Sequence, residues 1–334
     1  MMSDPPYIGL FASCLKQRAS ILKTYFPHFQ HSGTLFTFDE QSVNWENKTI
    51  KGLTYKHQKI VESTFPFPNA VYNRVYKKNN SILAQLEREI GEKRCFNQIT
   101  QLNKWNVYTL LMNSNIDSFL PHTYLYRDVD ICSLLKENGT LYIKPCYGQQ
   151  GRRVYKIQLT KEGKINLYGD VKQPKHILSS DVELKRKVEE LIPKDKMLIQ
   201  QEIAIHRVDG QYFDIRALVQ KNIDGEWKVT NVVGRIAHKE YMNTSFFQRV
   251  VQIDDLFQFL HGLKIEKAEI LNLVHEISVK TASILDCQLG HLGELSVDYG
   301  LNSEGQLTII EVNGKPQKKI YRKVKGLKVK KRYL

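Results

Sequence analysis

The sequence predicts an α/β protein built from two or three packed units, with helices and sheets intermixed along the chain. Three observations lead there. At 334 residues the chain exceeds what one hydrophobic core comfortably holds. Short β-branched apolar runs of strand length alternate with longer stretches of helical spacing. No apolar run approaches the roughly 20 residues of a membrane span, and an apolar content of 42% with 25% charged residues is that of an ordinary globular chain.

Residues 1–93 form a first small α/β unit. Tyr7 to Phe11 reads as a strand, and the runs at 34–38 and 49–54 alternate like half-buried strands. Phe65-Pro66-Phe67-Pro68 reads as a turn or extended link into the run 70–74, which ends in Asn73 and Arg74. These two serve either a substrate or an ordinary loop surface. A helical stretch follows at 81–86. The opening Met1-Met2-Ser3-Asp4-Pro5-Pro6 lacks the basic-then-apolar layout of a signal peptide, so a cytoplasmic chain is expected. The five cysteines are scattered without a Cys-x-x-Cys pair, which argues against a zinc site or disulfide framework.

Residues 94–200 form the next unit. The stretch 104–111 is a helix with Trp105, Tyr108 and Leu111 or Met112 at helical spacing. Lys104 stands at its start, where the helix dipole disfavours a cation, so another use such as phosphate is suggested. A loop at 119–123 leads into a strand, and a short helix at 131–136 is ended by Gly139. The strand 140–145 then runs into Cys146-Tyr147-Gly148-Gln149-Gln150-Gly151, and 154–157 resumes the strand pattern. Strand, glycine loop, strand is a hairpin, unlike the strand–loop–helix of a Walker A or Rossmann site. Glycines let such a loop close over a ligand with its amide N–H groups aimed inward. Lys144 would add a point charge for the same phosphates. After a hairpin or loop and a charged helix at 181–191, the strand 197–203 ends in a polar hinge. There Gln200, Gln201 and Glu202 either meet a purine edge or sit on the surface.

Residues 201–317 form the last unit. The strand at 212–220 carries Asp214 and Arg216 on one face, and a charge pair inside such a strand is costly unless paired or used. Asp224-Gly225 turns the chain into the strand 227–237, where Arg235 is a further inward candidate. Mixed loop and helix is expected at 243–265. An amphipathic helix spans 266–285, with Ile270, Leu273, Val274, Ile277, Thr281 and Ile284 or Leu285 at core spacing. A strand from Gly293 then ends at Asp298, a turn covers 300–305, and the strand 307–313 delivers Glu311 and Asn313. Residues two apart on a strand share a face. Two neighbouring strand ends offering Asp298, Glu311 and Asn313 oxygens suit Mg²⁺, which takes oxygen ligands and keeps positions open for phosphate. Ordinary surface strand ends are the alternative.

The net charge of +14 is concentrated at one end. Ten Lys/Arg and no acids lie between Lys315 and Leu334, so 14 − 10 leaves about +4 for the rest. Residues 318–334 are therefore read as a basic tail, a docking element for polyanions or an acidic protein surface or else a solvated terminus. Aromatic residues are not interleaved with a basic surface, so no specific nucleic-acid binding is expected.

In this order, Lys104-Trp105, Tyr142-Ile143-Lys144-Pro145 with Gly148 to Gly151, Gln200-Gln201-Glu202-Ile203, Asp214-Ile215-Arg216, Arg235, Ser296-Val297-Asp298 and Glu311-Val312-Asn313 resemble the ATP-grasp superfamily. Within it the chain is most similar to the YheC/YheD family associated with the Bacillus spore coat, over roughly residues 95–316. The resemblance implies an ATP-grasp fold, in which two α/β subdomains grip ATP behind a small N-terminal domain. It implies that Lys104, Lys144 and the loop Gly148, Gln149, Gln150 and Gly151 contact the phosphates. Gln200, Gln201, Glu202 and Ile203 would hold the adenine, and Asp298, Glu311 and Asn313 would bind two Mg²⁺ ions. Arg216 and Arg235 would act on the transferred phosphoryl group. The implied activity is an ATP- and Mg²⁺-dependent carboxylate–amine ligase working through an acyl phosphate, in a sporulating cell; the alternative is a weakly catalytic or inactive component of the spore coat. The family usually has a Ser-rich glycine loop and an Asn-Leu-Ser-x-Gly-Gly stretch. This chain instead has Gly148-Gln149-Gln150-Gly151 and Asn243-Thr244-Ser245-Phe246-Phe247-Gln248, which leaves Asn243 without the expected context.

Overall fold

Residues 5–29, 33–77, 80–148, 151–191, 196–260 and 262–324 are described in the computed structural model, and their strands form three sheets. The first contains β1 (Tyr7–Phe11), β2 (Thr34–Phe38), β3 (Val43–Asn44), β4 (Thr49–Lys56), β5 (Lys59–Pro66), β6 (Ala70–Asn73) and β7 (Cys95–Phe96). Its order is β3-β4-β2-β1-β6-β7, with β5 paired to β4. The strand β1 runs parallel to β2 and β6, and α1 (Leu15–Tyr25) makes the crossover between β1 and β2. β2 does not alternate, because both of its faces are covered. Leu35 packs with Leu22 of α1, whereas Phe36 and Phe38 pack with Phe65 and with Leu83 of α2 (Ser81–Ile90).

The second unit opens with α3 (Lys104–Met112), whose first turn is capped by the Asn103 side chain accepting from the Trp105 and Asn106 amides. Next come β8 (Thr123–Leu125), α4 (Ile131–Asn138), β9 (Thr140–Pro145), β10 (Tyr155–Leu159), β11 (Ile165–Tyr168), β12 (Pro174–Leu178), α5 (Asp181–Leu191) and β13 (Met197–Gln201). The sheet is antiparallel in the order β12-β11-β10-β9-β13-β8. Leu141, Ile143, Ile157, Leu167 and Ile199 bury its outer face against α4 and α5. Alternation then leaves Tyr142, Lys144 and Gln200 for the opposite face.

The third sheet is also antiparallel, in the order β16-β15-β14-β17-β18. Its members are β14 (Phe213–Lys221), β15 (Trp227–Ala237), β16 (Phe247–Gln252), β17 (Glu294–Leu301) and β18 (Leu307–Asn313). Between β16 and β17 come α6 (Ile253–Gln258) and α7 (Lys267–Leu289). Ile270, Val274, Ile277, Thr281 and Leu285 of α7 are buried at the expected spacing, against Leu295, Val297 and Tyr299 of β17. The other face of this sheet is polar: Asp214 and Arg216 from β14, and Glu294, Ser296 and Asp298 from β17, are all buried. Among the described residues, no helix is long and apolar enough to cross a membrane.

Three expectations change. The strand β17 runs on to Leu301, so Asp298 lies in its interior beside a register shift and not at its end. The region 243–265 holds an edge strand, β16, as well as loop and helix. The stretch read as a basic tail begins inside the fold, where Lys318–Lys323 is a 3₁₀ helix with Ile320 and Tyr321 buried. Those two pack with Val324 on Leu218 and Val233 of the third sheet. Residues 325–334 lie outside the described residues.

Candidate functional site

A cleft of about 500 Å³ opens between the polar faces of the second and third sheets. The second sheet contributes Tyr142, Lys144 and Gln200, together with Gly148 and Gly151 of the loop. Opposite them stand Arg216, Arg235 and Asp298, with Glu311 and Asn313 from β18. The hinge adds Gln201 and Ile203, and the chain leaving β18 adds Lys315 and Gln317. Most of the residues singled out by sequence thus face one space, although residues 104 and 313 are more than two hundred positions apart.

Lys104 is placed twice over. Its amide donates to the Cys146 carbonyl at 2.8 Å, pinning the start of α3 to the end of β9. Its ammonium pairs with Glu311 at 2.8 Å and donates to the Gly148 carbonyl at 3.1 Å. Lys144 donates to the Gln200 side chain, which in turn donates to Thr123 at 3.0 Å. Burial pushes the Lys144 ammonium down to about 8, opposed by Glu311 and helped by Lys104.

On the opposite wall four charges interlock. Arg216 grips Asp298 with Nε at 2.6 Å and Nη2 at 2.5 Å, the bidentate geometry that suits guanidinium and carboxylate. Arg235 binds Asp214 through Nε at 2.8 Å and through Nη2, which also reaches Asp298 at 3.0 Å. Cross-strand register produces these contacts, since Asp214 faces Arg235 and Arg216 faces Asp298. Burial would raise the Asp298 carboxyl, but Arg216 and Arg235 hold it below its ordinary value. Asp214 goes the other way: burial pushes it up, and the nearby Asp298 adds to that against Arg235. The Thr244 hydroxyl donates to Asp214 and ties the 243–247 loop to the quartet.

That loop also meets the glycine hairpin. Gly151 sits at φ +66°, and a Cβ there would come 2.9 Å from Ser245 Oγ and 3.1 Å from Asn243 Oδ1. Asn243 lines the cleft and caps the short helix Thr244–Phe246 by accepting from the Ser245 amide at 3.0 Å. The missing glycine pair therefore does not remove Asn243 from the site.

Other candidates fall elsewhere. Glu202 is not on the cleft wall; it pairs with Lys156 at 2.8 Å, beyond the end of β13. The Gln200 side chain is committed to Lys144 and Thr123, and that of Gln201 donates to Asn138, so a base would meet the hinge through backbone groups. Gln149 and Gln150 lie outside the described residues. Asn73 and Arg74 do not line the cleft: buried Asn73 donates to the Asn97 carbonyl at 2.9 Å, and Arg74 pairs with buried Glu294 at 2.9 Å. Thr244 and Lys315 are cleft residues that sequence reading missed. The place of Lys315 two residues past Asn313 is the usable signal.

The candidate metal ligands fit a hard cation by donor chemistry. Asp298 is the cross-strand partner of Glu311, and Ser296 that of Asn313. The Asn313 Nδ2 donor is buried without a partner; the atom of this amide that would meet a cation is its Oδ1. Both carboxylates are neutralised by protein cations, Asp298 by two arginines and Glu311 by Lys104. Among the described residues, no group of three or more His, Cys, Asp or Glu side chains forms a metal cage. An ion here would rest on Glu311, Asn313 and a share of Asp298, and would need a ligand's oxygens to complete its shell.

Comparison with known proteins agrees with this geometry. A family model described as YheC/D like ATP-grasp matches residues 92–334. The chain is 29% identical over 309 residues to the endospore coat-associated protein YheD of Bacillus subtilis, covering 88% of this chain and 67% of that protein. It is 28% identical over 226 residues to YheC of the same organism, covering 65% and 60% respectively. Among solved structures, the D-alanine–D-alanine ligase of Coxiella burnetii superposes with a TM-score of 0.51 at 11% identity, over 93% of this chain and 86% of that one. The VanG D-Ala:D-Ser ligase of Enterococcus faecalis gives 0.52 at 13% identity, over 94% and 91%. These structural likenesses establish the ATP-grasp fold.

Proposed function

Since the chain belongs to the YheC/D like ATP-grasp family, we propose that it binds ATP with Mg²⁺ in the cleft and joins a carboxylate to an amine through an acyl phosphate. In this reaction a carboxylate oxygen attacks the γ-phosphorus and ADP leaves. The amine nitrogen then attacks the acyl carbon, phosphate departs, and the amine gives up a proton as the amide forms. Such transfer depends on positioning and charge stabilisation more than on covalent help from the protein.

The residues lining the cleft support a division of roles. Lys104 and Lys144 flank Gly148 and would hold the phosphates, with Gly151 and its loop closing over them to exclude water. The hinge backbone at Gln201 and Ile203 would meet the adenine. Arg216 and Arg235 use Nε and Nη2 on the acids, so the Nη1 edges would face charge developing on the phosphoryl group. Asp298, Glu311 and Asn313 would hold Mg²⁺, which supplies neutralisation of phosphate oxygens when bound.

The observation that carries this reading is the convergence of Lys104, Lys144, Arg216, Arg235, Asp298, Glu311 and Asn313 on one cleft. Calorimetry with ATP and Mg²⁺ tests it: the wild type binds and Glu311→Ala binds at least about tenfold more weakly, as expected for losing a charged contact. No heat in the wild type sinks the ligase reading. ADP release across amino-acid and peptide mixtures then tests catalysis.

One observation favours a second reading. Both oxygens of Asp298 are already engaged by Arg216 and Arg235, an arrangement that also suits a chain keeping ATP-grasp architecture as a spore-coat component. The names of YheD and YheC fit that role, with the basic residues that follow Val324 in the sequence docking coat proteins or polyanions. ATP binding without ADP release under any substrate mixture would select it.

A further inference from the structure

We propose that Tyr321, in the C-terminal segment, is a positioning residue of the nucleotide site: its hydroxyl oxygen accepts a guanidinium N–H of Arg216 when Asp298 turns an oxygen to a bound cation. The inference rests on the Mg-ATP reading above and gives the segment after β18 a part in it.

The double engagement of Asp298 leads there. Asp298 lies between two cross-strand partners, Arg216 on β14 and Glu311 on β18. In this structure both of its oxygens are turned to arginines, whereas Glu311 and Asn313, the other candidate ligands, stand on the β18 side. Serving a cation with them takes from the arginines part of their acceptor. The two arginines do not lose equally. Arg235 keeps Asp214, bound through Nε at 2.8 Å and through Nη2. Arg216 bonds no acid but Asp298 among the described residues, and a buried guanidinium left short of an acceptor is costly.

Tyr321 supplies the missing acceptor. It is 1% exposed, yet its hydroxyl has no hydrogen-bond partner among the described residues, a rare condition for a buried polar group. Register places it beside Arg216. Tyr321 shares one buried group with Leu218 and Val233. Val233 is the cross-strand partner of Arg216, and Leu218 is the next residue of β14 on the same face. Burial pushes the Tyr321 hydroxyl up, and of the charges around it Arg216 acts most strongly against that push. The group thus keeps its proton at neutral pH and offers Arg216 a neutral oxygen. Ser296, opposite Leu218 and two residues before Asp298, also has a buried hydroxyl without a partner. Unused hydrogen-bonding capacity is therefore concentrated next to Arg216. A guanidinium carries five N–H donors, so the exchange leaves the Nη1 edge free for the role given to it above. Without the tyrosine oxygen, releasing Asp298 would strand Arg216, and the cation would be held more weakly.

The test uses the full chain and Tyr321→Phe, which keeps the ring and removes only the hydroxyl. Calorimetry is run with ATP in saturating Mg²⁺ and with ATP in EDTA. The variant should bind Mg-ATP about ten- to a hundredfold more weakly, the worth of a hydrogen bond to a charged group. Its affinity for ATP in EDTA and its urea midpoint without nucleotide should equal those of the wild type, because the hydroxyl has no partner to lose there. A packing role alone would lower the midpoint and both affinities together. A crystal structure of the wild type with Mg-ADP should place an Arg216 nitrogen about 3 Å from the Tyr321 oxygen. Four results would each overturn the proposal: equal Mg-ATP affinity in variant and wild type, an equal loss with and without Mg²⁺, a lowered urea midpoint, or Arg216 still gripping Asp298 through both nitrogens in the complex. Absence of ATP binding by the wild type in either condition would instead remove the reading beneath it.

Discussion

Lys144 makes the nucleotide site sensitive to pH in a direction that can be worked out. Its ammonium lies at about 8, far below the ordinary lysine value, and phosphate oxygens nearby would raise it again. ATP should therefore bind with proton uptake near pH 8, and affinity should fall by up to about tenfold per pH unit as pH rises above 8. Calorimetry in two buffers of different ionisation enthalpy measures the uptake, and Lys144→Met should abolish it. The Asp214–Arg235–Asp298–Arg216 quartet yields a stability prediction. Asp214→Asn leaves Arg235 buried with only a share of Asp298, and breaking a buried pair costs about 3–5 kcal/mol, readable from urea unfolding. Sequence showed that Asp214 and Arg216 share a face. It could not show that each would be claimed by a residue 21 or 82 positions away, because the register also depends on irregularities at Leu218/Val219 and Asp298/Tyr299 that leave no local mark.

Elements whose burial is one-sided or complete were legible, and those at edges were not. The strands β9, β15 and β18 combine β-branched residues with clear turn signals, so their positions follow from pattern. β16 is an edge strand whose residues are mostly half-buried, so neither alternation nor an apolar run marks it. Gly300 reads as a turn residue but lies inside β17, where a Cβ would come 3.1–3.2 Å from Ile205 and Ile203 of the hinge. Its glycine serves close approach. The glycine hairpin differs, since Gly151 has both a left-handed backbone and a tight neighbour. Gly151→Ala should cost about 1 kcal/mol in backbone strain alone. It should also push the hairpin away from Asn243 and Ser245. Weaker ATP binding with a nearly unchanged unfolding midpoint is expected; unaltered affinity would mean the hairpin does not close on the nucleotide.

At the scale of the whole molecule, Glu294 joins three parts of the chain that sequence gave no reason to connect. It is 1% exposed and pairs with Arg74 of the N-terminal unit at 2.9 Å and with Lys318 of the C-terminal segment at 2.6 Å. Tyr72 donates to it at 2.6 Å. Burial would raise its carboxyl, but Lys318 and Arg74 hold it below the ordinary range. The segment after β18 thus crosses the polar face of the third sheet, fixed at one point by Lys318 and further on by Ile320, Tyr321 and Val324 over Leu218 and Val233. Truncation after Gln317 removes one cation from a buried carboxylate and uncovers this patch, with each large apolar side chain contributing roughly 1.5–3 kcal/mol. Urea unfolding should show a loss of several kcal/mol. Truncation after Val324 should leave stability and ATP binding close to those of the full chain while abolishing salt-sensitive retention on heparin. If both truncations unfold at the same urea concentration as the full chain, residues 318–324 are not a structural strap and the basic segment acts in docking alone.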